Sequence, residues 1–198
     1  MLEHVPAWLG RALGNVRAGH GKLAVARLGE EGLIGRDGFT LRSAAFTHGE
    51  ALDPCFTADE EDAVAPPLEW TQPPAGTQDM VLLVEDPDAP ASQPMCHWLV
   101  WGLAPAAGQL LEGEAPPRTG KNGYGNSEWL LPDPPTGHGS HDYVFQLFAL
   151  DLPLTQMPGA TRDEVLAAMN GHVLAVAVLT GTYSRDEGEQ AWDEDDDG

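Results

Sequence analysis

From about residue 38 onward the sequence predicts a mainly β domain, a sandwich or barrel-like fold with few helices. Turn-forming punctuation such as "LDPCFTAD", "APPLEW" and "QPPAGTQD" recurs every ten or so residues. Four short runs rich in Val, Leu and aromatics read as strands: "MVLLVE" (80–85), "HWLVWGL" (97–103), "YVFQLFALD" (143–151) and "HVLAVAVLTGTY" (172–183). Only one internal helix is well signalled. Thr161 and Glu164 form a capping box, Val165, Leu166 and Met169 make its apolar stripe, and Asn170-Gly171 closes it.

Around that domain (38–185) lie two different flanks. Residues 1–37 read as an N-terminal extension with a short amphipathic helix, because Val5, Leu9, Leu13 and Val16 recur at helical spacing. That helix would dock on the domain or on a second subunit as a homodimer contact. Residues 186–198 read as a disordered tail, since "RDEGEQAWDEDDDG" is rich in carboxylates that repel one another and has little to bury.

Composition excludes several functions. The formal charge of −21 repels nucleic acid and anionic membrane surfaces, and no local basic patch offsets it. No segment approaches the ~18 apolar residues of a membrane span, so no stable membrane insertion is expected. Cys55 and Cys96 lack CxxC spacing and read as reduced thiols of a cytoplasmic protein.

Strand alternation sets the candidate chemistry. Residues i and i+2 share a face, so His97 is expected beside Leu99, Trp101 and Leu103, and His141 beside Tyr143, Phe145 and Leu147. The acidic strand exit "DPDAP" (86–90) could meet both histidines. The plain alternatives are that Asp86 and Asp88 cap a turn and that the histidines lie at the core edge. Trp98, Trp101 and Phe148 read as core aromatics, and His138 in "GHGS" as a mobile loop residue. Cys96 should face away from His97, which removes a Cys-His nucleophile.

The ordered blocks "PPLEW", "PAGTQDMVLLVEDPDAP", "HWLVWGL" and "PPTGHGSHDYVFQLFALD" resemble the phosphatidylethanolamine-binding protein family, in its bacterial Raf kinase inhibitor-like branch. The resemblance implies a sandwich of two antiparallel sheets with few helices, and a small pocket for phosphate or a phosphorylated head group. The implied ligand-binding set is Asp86, Asp88, Pro90, His97, Pro135, His141 and Tyr143, with no cofactor. Pro87 and Pro90 would make the rim rigid. His97 and His141 would donate to the anion, so binding is expected to strengthen as pH falls toward the ~6.5 reference value of histidine.

Two departures from the family pattern stand out. "SEWLLPD" replaces a Gly-Pro wall, so Trp129, Leu130 and Leu131 are expected over the mouth and Asp133 adds negative charge; Asp142 replaces the arginine of His-Arg-Tyr. Three functions follow as expectations. The first is a non-catalytic binding or regulatory protein for a phosphate-bearing small molecule or phosphorylated partner, with inhibition of a kinase or protease as its regulatory form. The second is a metal-dependent enzyme using His97, His141 and Asp86. The third is a dimeric scaffold with a vestigial pocket.

Overall fold

The computed structural model describes residues 16–30 and 32–185. Eight strands form two antiparallel sheets. The smaller contains β1 (Leu41–Arg42), β2 (Leu68–Trp70) and β5 (Gly108–Leu110), in the order β1-β2-β5. The larger runs β6-β4-β3-β7-β8, from β3 (Asp79–Asp86), β4 (Met95–Leu103), β6 (Arg118–Thr119), β7 (His141–Leu150) and β8 (Val173–Tyr183). The four strands read from sequence are the four long strands of this sheet.

β3 is buried along its whole length because it lies between β4 and β7 and both of its faces are covered. Met80, Leu82 and Val84 point inward, meeting Leu68, Trp70 and Leu110 of the small sheet and Phe145 and Leu147 of β7. Val81 and Leu83 point outward to Leu99, Trp101 and Phe148. That outer face is covered by α1 (Ala24–Leu28) and α2 (Arg162–Met169). The α2 capping box forms as the sequence predicts, and Val165, Leu166 and Met169 are its buried stripe.

The face predicted for His97 is only partly right. Val84 pairs with Trp98 and Glu85 with Cys96, so His97 is an extra residue at a bulge. Trp98 and Val100 therefore turn inward, whereas Leu99 and Trp101 join the outer cluster. A second irregularity between Met80 and Val81 places Gly102 at φ 76°, and Leu103 returns inward. The positive φ is a reason for glycine there. His141, Tyr143, Phe145 and Leu147 keep the predicted alternation.

α1 has no capping side chain of its own. Its first donors go instead to the sheet: Ala24 N donates to Glu85 Oε2 (2.8 Å) and Val25 N to Gln146 Oε1 (2.7 Å). Arg162 Nε donates to Glu85 Oε1 (2.6 Å), and Gln146 Nε2 to Glu85 Oε2 (2.8 Å). A buried carboxylate with these partners is compensated rather than stranded. The helix predicted over 5–17 lies outside the described residues except for Val16 and Arg17, which are not helical. The predicted tail, 186–198, also lies outside them.

Candidate functional site

The end of β3, the bulge of β4 and the start of β7 meet at one corner of the sandwich. Asp86 is buried (4 % exposed), and its Oδ1 accepts from Asp88 N (2.7 Å) and Ala89 N (3.0 Å). The aspartate thus caps the turn, and it serves the corner as well: Oδ2 accepts from His141 Nδ1 at 2.8 Å. Both readings of Asp86 hold together. Asp88 accepts from Asp142 N through Oδ2 (2.8 Å) and pairs with Arg17 through Oδ1 (2.7 Å). Pro90 is exposed at the outer end of the turn, and Pro135, half-buried, accepts from His138 N (3.0 Å).

His97 donates through Nδ1 to Leu130 O (2.7 Å), which leaves Nε2 as the acceptor nitrogen of the neutral ring. Its ring meets Tyr143 edge to face, with centroids 5.0 Å apart. Burial holds the His97 pKa below its usual value, against a smaller upward pull from Asp86. The expectation that both histidines donate to an anion is therefore corrected for both: the His97 donor is committed to Leu130 O and its protonation is opposed, and the ring nitrogens of His141 are taken up by Asp86 and His138. The Tyr143 hydroxyl is buried and has no hydrogen-bond partner among the described residues. Burial also raises its pKa, so it stays a phenol and a donor.

His138 is a second correction. It lies in a loop, but it is 3 % exposed and its Nδ1 is 2.6 Å from His141 Nε2. Because Asp86 takes the Nδ1 hydrogen of His141, the neutral pair places the next hydrogen on His138 Nδ1. The corner is a chain, His138 to His141 to Asp86. The spacing of the two histidines within "GHGSH" was the available signal.

This wiring does not suit the metal triad expected from His97, His141 and Asp86. Asp86 and His141 bind each other, and His97 points its Nδ1 at a carbonyl. Among the described residues another polar grouping lies at the rim of the corner, where one atom each of His20, Asp88 and Asp142 come within 4.8 Å of one another. It is already joined by the His20–Asp142 pair (2.9 Å) and by Arg17 on Asp88. Arg17 had no signal in the sequence. It stands at the corner where Asp142 has taken the place of a basic residue, and it donates to Ser140 O and His138 O (both 3.3 Å).

Trp129 covers the His97 side. Its ring stacks on Phe145 (5.9 Å) and lies 6.1 Å from His97. Asp133 is matched by Arg185, so its charge does not stand alone as the sequence suggested. Cys96 faces the outer cluster, where burial pushes its thiol up to about 12, so it is no nucleophile for this corner. Cys55 and Cys96 are both free thiols.

Among the described residues no helix is long and apolar enough to cross a membrane. The chain is 38 % identical over 151 residues to a UPF0098 protein of Aquifex aeolicus, covering 73 % of this chain and 87 % of that one. It is 35 % identical over 146 residues to a Mycobacterium tuberculosis protein named as the lipoprotein LppC, covering 73 % and 71 %. The crystal structure of a phosphatidylethanolamine-binding protein homologue from Chlamydia trachomatis superposes with a TM-score of 0.70 at 34 % identity, over 75 % of this chain and 98 % of that one. The family model for phosphatidylethanolamine-binding protein matches residues 42–184, and the chain belongs to that family.

Proposed function

We propose that this corner binds a phosphate or phosphorylated head group, and that the protein is a binding or regulatory module rather than an enzyme. The observation that carries the reading is the Tyr143 hydroxyl, a buried donor with no partner beside the acceptor-presenting ring of His97. An unmade buried hydrogen bond costs about 1–3 kcal/mol, so a ligand oxygen that accepts from it is worth about that much. A phosphate group carrying one hydroxyl complements both residues, because it accepts from Tyr143 and donates to His97 Nε2. A phosphorylated side chain on a partner presents the same group, which makes kinase or protease inhibition the regulatory form of this reading. Its two free thiols favour the cytoplasm.

Calorimetric titration with inorganic phosphate and phosphoethanolamine tests the site. Wild type should bind, and Tyr143→Phe should bind about tenfold more weakly. Absence of binding by wild type, or equal binding by the Tyr143 variant, overturns the reading.

A further inference from the structure

We propose that the groove beside Trp129 binds a small organic cation with an apolar body, at a site separate from the phosphate corner. The groove holds about 680 Å³, enough for one drug-sized molecule, and lies among the loops 58–65 and 113–116 and the segment 127–133. None of Asp86, His97, His141 and Tyr143 lines it. The two sites meet only at Trp129, whose ring lies 6.1 Å from that of His97 and also lines the groove, so this inference does not depend on the phosphate reading.

The walls of the groove are held in place by the fold. Gly113 N donates to Ala65 O (3.0 Å) and Ala58 N to Pro132 O (3.0 Å), which ties the three loops to one another. Trp129 is fixed by its Nε1, which donates to Phe56 O (3.2 Å), and by stacking on Phe145 with ring planes 24° apart. An indole that gives one face to Phe145 keeps the opposite face for the cavity it lines. Trp98, edge to face with Trp129 at 5.8 Å, lines the same cavity. Tyr124 and Val64, two large apolar side chains left exposed to water, lie on its wall as well. A ligand with an apolar body covers them, and the rigid walls keep the entropy cost of binding low.

Charge selects the ligand. Among the described residues that line the groove, those charged at neutral pH are all carboxylates: Glu114, Glu128 and Asp133. Asp133 is matched by Arg185, whereas Glu114 and Glu128 make no ion pair among the described residues. Glu114 accepts from Leu111 N through Oε2 (2.7 Å), a neutral partner that leaves its charge standing. Burial, and after it the Asp133 carboxylate, raises the Tyr124 pKa, so its ring stays a neutral phenol. A cation over an indole or phenol face is attracted by the ring quadrupole, and Glu114 and Glu128 add to that attraction. An anion is repelled by the same carboxylates, and a neutral ligand gains the apolar contacts alone. The formal charge of −21 draws cations toward the groove from a distance.

Titration of the full chain with phenethylammonium and with phenethyl alcohol, which has the same body and a hydroxyl in place of the ammonium, tests the site. Wild type should bind the cation about tenfold more tightly than the alcohol at low salt, and the ratio should shrink as salt is added. The indole N–H resonance of Trp129 should move as the cation binds. Glu128→Gln should weaken the cation about threefold and leave the alcohol unchanged. Tyr124→Leu should weaken the cation more than the alcohol. Both side chains are exposed, so both variants should keep the wild-type melting temperature. Saturating cation should not weaken phosphate binding. No binding of the cation, equal binding of cation and alcohol, unchanged cation affinity in both variants, or competition with phosphate overturns this proposal. Selective binding of the cation by a wild type that binds no phosphate supports it and removes the phosphate reading alone.

Discussion

Asp79 and Asp86 sit at opposite ends of β3, buried to almost the same extent (5 % and 4 % exposed), yet they do different things. Asp79 receives only backbone donors: Met80 N (2.8 Å) and Gly102 N (3.0 Å) on Oδ1, and Leu154 N (2.9 Å) on Oδ2. It ties three chain segments together with groups that cannot titrate. Asp86 spends one oxygen on its own turn and the other on His141, a group that can gain a proton. One residue type on one strand is a crosslink at one pole and an electrostatic reference at the other. Burial alone does not mark a site; the nature of the partner does.

The largest effect should come from breaking the crosslink pole. Asp79→Ala leaves backbone donors unsatisfied and should lower unfolding free energy by about 3 kcal/mol in urea titration, with phosphate affinity of the folded molecule unchanged. A comparable loss of affinity would mean the two poles are not separable. Next, Asp86→Asn keeps a carbonyl for the turn but sets an amide against His141 Nδ1–H. It should cost about 1 kcal/mol of stability and more than tenfold in phosphate affinity. If stability falls as for Asp79→Ala while binding survives, Asp86 is a crosslink too.

The comparison sharpens with pH. The folded-state pKa of His97 is depressed, so below ~6.5 the unfolded chain binds a proton that the folded chain does not. Stability from this residue is present above that value and is lost as pH falls, with a slope of at most about 1.4 kcal/mol per pH unit. Chemical unfolding at pH ~7 and ~5 should show the slope in wild type and a flatter one in His97→Gln. The smallest effect belongs to the exposed His20–Asp142 pair. Asp142→Ala should change stability by less than about 0.5 kcal/mol, and a larger change would make the outer rim part of the corner's energetics.

The sequence made the sheet legible because β3, β4, β7 and β8 are apolar, short and well punctuated, and because α2 carries both its caps. It brought Asp86, His97, His141 and Tyr143 to one corner by resemblance and by strand parity. Parity failed at His97, since a bulge adds a residue without a mark in the local sequence. Arg17 and His20 were invisible because their partners lie more than a hundred residues away for His138, Ser140 and Asp142. His138 was misjudged because flanking glycines suggest mobility, whereas Pro135 O and His141 fix it. Glu85 and Gln146 gave no sign that they cap a helix, as a capping acceptor is ordinarily local in sequence.

That borrowed cap has a consequence for the order of assembly during synthesis. Residues 24 and 25 leave the ribosome long before Glu85, Gln146 and Arg162, the side chains that receive and brace them, exist. A five-residue helix does not hold its shape in water alone, and β3 has no second neighbour until β7 has been made. This early-synthesised helix therefore closes among the last. A translational pause placed before residue 150 would leave the outer face of β3 uncovered, so the cell's handling of the nascent chain acts on this latch before any ligand can act on the corner beside it.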